Sequence, residues 1–336
     1  QAAQNHTILI DKYIIGREVE VDAVSDGKDV MIPGIMELIE RAGVHSGDSF
    51  SVYPPWDLSP AVRRQIVDTC IRIGRELRVR GLFNIQFVID PEDHLFVLEA
   101  NLRASRTVPI LSKVTGVPMV DLATRIILGT SLADMGYQTG LIPESPLVTV
   151  KAPVFSFSKM TTVDPFLGPE MKSTGEVMGT DTSCIRALTK AMLASGVKIP
   201  DRENVLFSIA DRDKREASEI ARELADMGFH LFATEHTWNY FRKQGMAVER
   251  IPMEEAIHCI QDDKVDLLIN TPTRGKIPER PGFQLRRVAM EFNVLSITSL
   301  DTAKAMLAVR KADCRNLEAI PLNEYPKNSC KGSCVR

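Results

Sequence analysis

No run of apolar residues in this 336-residue sequence approaches the roughly 18 that a membrane span needs. The opening QAAQNHTILI also lacks the basic, apolar and small-residue order of a secretory signal, so a soluble, cytoplasmic protein is expected. Charge of one sign is not in excess. Lys and Arg number 41 against 44 Asp and Glu, a net −3 that offers no broad attraction for nucleic acid or an anionic membrane. Cysteine is sparse and scattered at Cys70, Cys184, Cys259, Cys314, Cys330 and Cys334, which fits reduced thiols better than a disulfide framework. Only the last two lie close together, with no nearby His or further Cys to complete a metal site. Glycine and proline, 20 and 19, are too few for a low-complexity chain, while 44% apolar and 25% charged residues are ordinary for a globular one. At roughly 150 residues per domain the length predicts two domains with cores of their own.

Periodicity predicts strands over residues 7–15 and 17–25, the second alternating Val19, Val21 and Ala23 with Glu18, Glu20 and Asp22. Taken alone, that alternation predicts an amphipathic strand with its acidic side chains exposed to solvent. A short helix is expected through Ile35, Met36, Leu38 and Ile39, then a polar loop from Gly43 to Ser49. Ser59 as N-cap with Pro60 at the first helical position starts a long amphipathic helix that Gly81 ends. Strands over 82–90 and 95–101 flank Pro91-Glu92-Asp93-His94 as a β-hairpin, and a helix follows over 120–128. Residues 131–200 read as a connector with some structure of its own. From Asn204 strands and helices alternate with short connections, the signature of a parallel sheet wrapped by helices, before a tail over 317–336.

The hairpin carries the chemistry. A four-residue loop would pair Asp90 with Leu95 and set Gln86 opposite Glu99; Asn101, two residues on, shares that face. Hard divalent cations take carboxylate, amide and phosphate oxygens, and phosphoryl transfer needs such an ion to neutralise developing charge. Arg103 and Arg106 follow at once, with guanidinium forks suited to phosphate or carboxylate. Spacing also admits a plainer reading, a solvated polar face with ordinary salt bridges, because Glu-x-Asn by itself is unspecific.

Four segments, GIMELIERAGVHSGDS (34–49), RGLFNIQFVI (80–89), VLEANLRASRTVP (97–109) and GPEMKSTGEVMG (168–179), resemble the carboxy-terminal synthetase half of carbamoyl-phosphate synthetase large subunits. The resemblance runs in order along nearly the whole chain, with the region from Asn204 similar to that family's methylglyoxal-synthase-like allosteric domain. It implies a partial ATP-grasp α+β domain (1–130), a connector (131–200), a doubly wound parallel-sheet domain (201–316) and a tail (317–336). It further implies ATP with Mg²⁺ or Mn²⁺ as cofactors and phosphorylation of carbamate to carbamoyl phosphate for arginine and pyrimidine synthesis. In that reading Gln86, Glu99 and Asn101 hold the metal, and Gln86 and Glu99 also touch the nucleotide. Glu18 meets the ribose, Gly43, Val44, His45 and Ser46 line the nucleotide site, and Arg103 and Arg106 face carbamate and the transferring phosphoryl group.

In the second domain Lys214, Thr234, Thr237, Arg250, Asn270 and Thr273 match a site for a nucleotide monophosphate such as UMP or IMP, at strand ends where helix N-termini present free N–H groups. Without the resemblance, the same Thr residues read as helix caps. The chain departs from the family at Leu102, where proline is usual, and at His236 and Trp238, where residues are small. Glu40 and Asp48 match two acidic ligands of an ornithine site whose third is Ala152 here, so ornithine activation is not expected. The implied partners are a glutaminase small subunit and an amino-terminal part of the large chain, in an oligomer. Gln1 and the strand pattern at the start predict a fragment, inactive or nearly so by itself. The alternative reading is a non-catalytic nucleotide-sensing module carrying a vestigial ATP-grasp stub. A methylglyoxal synthase is disfavoured because the matching loops offer Glu235 and no His/Asp set.

Overall fold

In the computed structural model, which describes residues 10–157, 163–197, 204–273, 281–312, 317–319 and 321, the alternating acidic segment is strand β1 (Arg17–Asp26). It lies in the middle of a sheet, not at an edge. β1 pairs antiparallel with β2 (Val30–Leu38) on one side and with β4 (Arg80–Ile89) on the other. The order across the sheet is β5 (Leu95–Asn101), β4, β1, β2, β3 (Ser51–Tyr53), β7 (Val148–Val154) and β8 (Gly175–Asp181), with β6 (Gly140–Leu141) parallel to β2.

One face of β1 and β4 buries Val19, Val21, Ala23, Phe83, Ile85 and Phe87 against the apolar side of helix α1 (Pro60–Glu76). As its sequence predicts, α1 opens on Ser59, whose Oγ accepts from Val62 N at 3.3 Å, a cap worth about 1 kcal/mol. The opposite face is divided. At one end Val24, Met31, Met36 and Tyr53 pack under α2 (Val108–Thr115) and α3 (Met119–Ile127); at the other it carries the polar residues described below.

Several sequence expectations need correction. The acidic residues of β1 are not solvated: Glu18, Glu20 and Asp22 are 6%, 3% and 1% exposed, because pairing on both sides and elements packed above leave no open face. Of the helix expected through Ile35–Ile39, all but Ile39 lies in β2, every residue of which is buried. A run apolar on both faces carries no period to separate helix from strand, and Pro33 is tolerated where the β1–β2 register shifts between Asp22 and Val24. The strand expected over 7–15 has no regular structure in its described part, 10–15. The segment read as a connector supplies β6, β7, β8 and helix α4 (Cys184–Ala194), so it completes the first sheet.

The second sheet is parallel throughout, ordered β11 (Glu249–Arg250), β10 (His230–Ala233), β9 (Asn204–Ser208), β12 (Leu267–Asn270) and β13 (Leu295–Ile297). α5 (Lys214–Asp226), α6 (Glu235–Lys243) and α9 (Leu300–Ala312) cover one face; α7 (Met253–Gln261) and α8 (Pro281–Glu291) cover the other. The alternation read from the sequence is therefore a doubly wound sheet. Val150 and Ala152 of β7 and Ala187 and Ala191 of α4 share one apolar cluster with Ala217, Ile220 and Leu224 of α5. That shared core joins the two sheets.

Candidate functional site

The hairpin β4–β5 has the rung expected of it. Asn84, Ile85 and Gln86 pair with Asn101, Ala100 and Glu99, after which the register shifts so that Phe87 meets Val97 and Ile89 meets Leu95. The turn is thus one residue longer than expected, and a bulge at Leu98 restores the alignment. β1 extends both rungs, since Glu20 pairs with Gln86 and Asp22 with Asn84. Two polar rows therefore cross three strands on one face: Glu20, Gln86 and Glu99, then Asp22, Asn84 and Asn101. Asn101 Nδ2 donates to Glu99 Oε1 at 2.8 Å, so these two side chains lie together.

The loop after β2 closes over this face. Gly43 N donates to Glu18 Oε1 at 3.1 Å, and Gln86 Nε2 donates to Ser46 Oγ at 3.4 Å. His45 and Val44 are half-buried, and His45 Nδ1 accepts from Gly47 N at 3.0 Å. Burial pushes the Glu18 carboxyl up to about 7, with Glu20 adding to the rise and the Gly43 N–H opposing it. Asp22 is raised to about 6 by burial and then by Glu20, against hydrogen bonds from Thr107, Ser105 and Asn84. Asp22 is the anchor of the arginine loop: Oδ2 accepts from Ser105 Oγ at 2.7 Å and from Thr107 Oγ1, and Oδ1 accepts from Asn84 Nδ2 at 3.2 Å.

Arg103 and Arg106 leave that loop differently. Arg103 is exposed and, among the described residues, donates to Ala104 O at 3.1 Å. Arg106 is half-buried and grips Ser173, Nη1 to Oγ at 2.8 Å and Nη2 to the carbonyl at 3.2 Å. Lys151 of β7, 1% exposed, donates to Ser46 O at 2.7 Å and stands 3.9 Å from Glu20 Oε1. That Glu20 oxygen is buried and has no hydrogen-bond partner among the described residues, so the long-range pairing with Lys151 is what offsets its charge there. Three carboxylates, Glu20, Asp22 and Glu99, and three amides, Asn84, Gln86 and Asn101, on adjoining rungs form a hard-oxygen donor set, and these residues fit a divalent cation.

The second domain has a cavity of about 310 Å³ beyond the carboxyl ends of β9, β10 and β12. Thr234, Thr237, Asn270 and Thr273 all line it. Two of them hold the backbone: Thr237 Oγ1 accepts from Ile209 N at 2.9 Å, and Asn270 Nδ2 donates to Ser208 O at 2.9 Å. Lys214 stands behind the wall, its Nζ 2.9 Å from His236 O and 2.5 Å from Asp211 Oδ1. Arg250 is not brought to this cavity. It pairs with Glu235 at 2.5 Å and lies over Trp238, whose indole N–H donates to Val248 O at 3.1 Å. Of the two bulky departures, His236 lines the cavity and Trp238 does not.

Comparison with known proteins supplies the family. Residues 1–135 match the carbamoyl-phosphate synthase L chain, ATP binding domain, and residues 216–298 match the MGS-like domain. The chain is 51% identical over 326 residues, 97% of its length, to the carbamoyl phosphate synthase large chain of Thermoanaerobacter pseudethanolicus, and 52% identical over 319 residues to that of a second Thermoanaerobacter strain. It belongs to the carbamoyl phosphate synthase large-chain family. The chain spans about 30% of the length of these large chains. Among solved structures, the biotin carboxylase domain of a single-chain bacterial carboxylase is similar with a TM-score of 0.44 and 19% identity, over 53% of this chain and 47% of that one. For a member of this large-chain family the fold class is the one expected: part of an ATP-grasp α+β domain, then a doubly wound MGS-like domain.

Sequence reasoning missed Glu20, Asp22 and Asn84, which stand in the two rows, and Lys151, which reaches them from β7. A signal for the first three was present, because residues two apart on a strand share a face with Glu18 and Gln86. For Lys151 there was none, as β7 reaches this face only through the pairing of β3 with β7.

Proposed function

We propose that this chain carries the carbamate-phosphorylating half-site and the effector module of a carbamoyl phosphate synthase large chain. The observation that carries the reading is the pair of polar rows across β1, β4 and β5, roofed by the Gly43–Ser46 loop and flanked by Arg106. Gln86, Glu99 and Asn101 would hold Mg²⁺ or Mn²⁺, which when bound supplies neutralisation of phosphate charge. Glu18 and the loop residues Gly43, Val44, His45 and Ser46 orient the nucleotide of ATP. Its raised pKa keeps part of the Glu18 population protonated near neutrality, so this carboxyl can donate as well as accept. Arg103 and Arg106 provide fixed positive charge for carbamate and the phosphoryl group. Asp22 positions both arginines through Ser105 and Thr107.

The bounds 1–130, 131–200, 201–316 and 317–336 go with this reading, with 131–200 completing the sheet begun in 1–130, as do a cytoplasmic location, an amino-terminal part of the large chain, a glutaminase small subunit and oligomeric assembly. The second domain takes a nucleotide monophosphate such as UMP or IMP at Thr234, Thr237, Asn270 and Thr273, with Lys214 and Arg250 supplying charge nearby. Apart from the rest of the large chain, ligase turnover is expected to be nil or nearly so. Calorimetry tests the reading. MgATP should bind the wild-type chain, lose at least tenfold in affinity in Glu99→Gln, about 1.4 kcal/mol, and be unaffected by Thr234→Val. Absence of any MgATP heat, with UMP binding retained, would instead support a nucleotide-sensing module with a vestigial site.

A further inference from the structure

The effector cavity and the nucleotide loop are joined by one short segment of chain, residues 163–173. At its first end the segment is held by the second domain. Asp164 forms a two-pronged pair with Arg286 of α8, Oδ1 to Nε at 2.7 Å and Oδ2 to Nη2 at 2.6 Å. Arg287 Nη1 donates to Val163 O at 3.5 Å, and Leu167 N donates to Thr298 Oγ1 at 3.2 Å. At its other end it holds the site. Gly168 O accepts from His45 N at 2.8 Å, and Asp48 accepts from Lys172 N and Ser173 N, each at 2.8 Å. Ser173 Oγ donates to Gly47 O at 2.8 Å while accepting from Arg106 at the same distance.

Arg286 is the one guanidinium or ammonium group among the described residues that line the effector cavity, and it is 4% exposed. Its third nitrogen donates to Asn270 Oδ1 at 2.5 Å, so it stands among the polar residues that face the cavity. With Asp164 in place the fork is occupied by a carboxylate, while the other carboxylate on the described wall, Glu235, is paired with Arg250 at 2.5 Å. A guanidinium fork accepts carboxylate and phosphate in the same geometry, and a phosphate monoester carries more charge than a carboxylate.

We propose that Arg286 is the anion receptor of this cavity and that Asp164 is its built-in competitor. A phosphate monoester takes the fork from Asp164, and the strap 163–173 then loosens its hold on His45, Gly47, Asp48 and Arg106. The inference rests on the reading of the cavity as a phosphate site and adds to it the residue that reads the phosphate and the route by which occupancy reaches the other domain. It also gives the strap its role. Eleven residues of irregular chain are held at both ends by polar contacts, which a competing ligand can exchange one for one.

The test uses the whole chain with UMP and inorganic phosphate as probes. Asp164→Asn keeps an acceptor for Phe166 N, which Asp164 Oδ1 now binds at 3.0 Å, but gives up the charge. It should bind UMP at least tenfold more tightly than wild type, and Arg286→Lys, which keeps charge without the fork, at least tenfold more weakly. Independently of any variant, UMP added to the wild-type chain should speed hydrogen exchange at the amides of His45, Lys172 and Ser173. If wild type binds UMP while Asp164→Asn binds it equally or more weakly, the competitor role is wrong and the phosphate site stands. Tighter binding without faster strap exchange also overturns the proposal, because the release step is missing. If neither wild type nor Asp164→Asn binds UMP or phosphate, the cavity is no anion site and both readings fall. Should Asp164→Asn fail to fold, the wild-type exchange experiment decides alone.

Discussion

Glu40 offers a test of the interface between the two sheets that needs no ligand. Its carboxyl is 1% exposed; Oε2 accepts from Phe50 N at 2.8 Å and Oε1 from Thr302 Oγ1 of α9 at 2.6 Å. Burial pushes its pKa up from 4.5 to about 7, the two hydrogen bonds opposing the rise and Asp301 adding to it. The folded chain therefore holds this proton more tightly than the unfolded chain does. The associated stability is fully present below about pH 4.5 and is lost as pH rises through about 7. At about 1.4 kcal/mol per pH unit the loss is on the order of 3 kcal/mol. Glu40→Gln keeps the acceptor for Phe50 N and a partner for the Thr302 hydroxyl while removing the titration. Urea unfolding of both proteins, followed by circular dichroism in matched buffers from about pH 4.5 to 8, should show the variant gaining on wild type by that amount. Glu18, raised to about 7 as well, steepens both curves alike and cancels in the difference. Parallel curves would refute the reasoning, since they would mean that Glu40 is no more protonated in the folded state than in the unfolded one.

Asp22→Ala removes the acceptor shared by Ser105, Thr107 and Asn84. With a cost of about 1–3 kcal/mol per buried unpaired group, partly offset by loss of a buried charge, a net destabilisation of about 2 kcal/mol is expected. Hydrogen exchange at Thr107, whose amide now donates to Ser105 Oγ at 3.0 Å, should quicken; unchanged exchange would mean that Asp22 does not hold the arginine loop. Gly179→Ala would place a methyl against the Ala187 carbonyl and the Ala191 amide of α4. Those atoms are helix backbone and cannot turn aside, so a loss of about 3 kcal/mol is expected, measured as a lower urea midpoint. A variant as stable as wild type would show that α4 does not seat on β8 this closely.

Where local pattern and tertiary setting agree, the reading from residues survives into three dimensions. Helix α1 begins at its Ser-Pro signal, and the alternating elements from Asn204 form a parallel sheet, because capping and short connections are decided within a few residues. The rung Gln86–Glu99 is found although the turn beside it is one residue longer than expected. A bulge at Leu98 absorbs the error; side chains on this rung face together whichever way the turn closes. The β2 segment fails for the opposite reason: a strand buried on both faces has lost the period that would distinguish it from a helix.

By itself, then, the amino-acid order settles the family and most of the order of elements, and it picks out Gln86, Glu99 and Asn101 as neighbours on β4 and β5. These properties are local in the chain or follow from a period along it. Burial of Glu18, Glu20 and Asp22, the approach of Lys151, and the strap that ties Arg286 to Arg106 were decided only by tertiary structure. Each depends on which strand lies beside which and on what covers the sheet. A carboxylate on an alternating strand has the same sequence signature whether water or another domain stands in front of it.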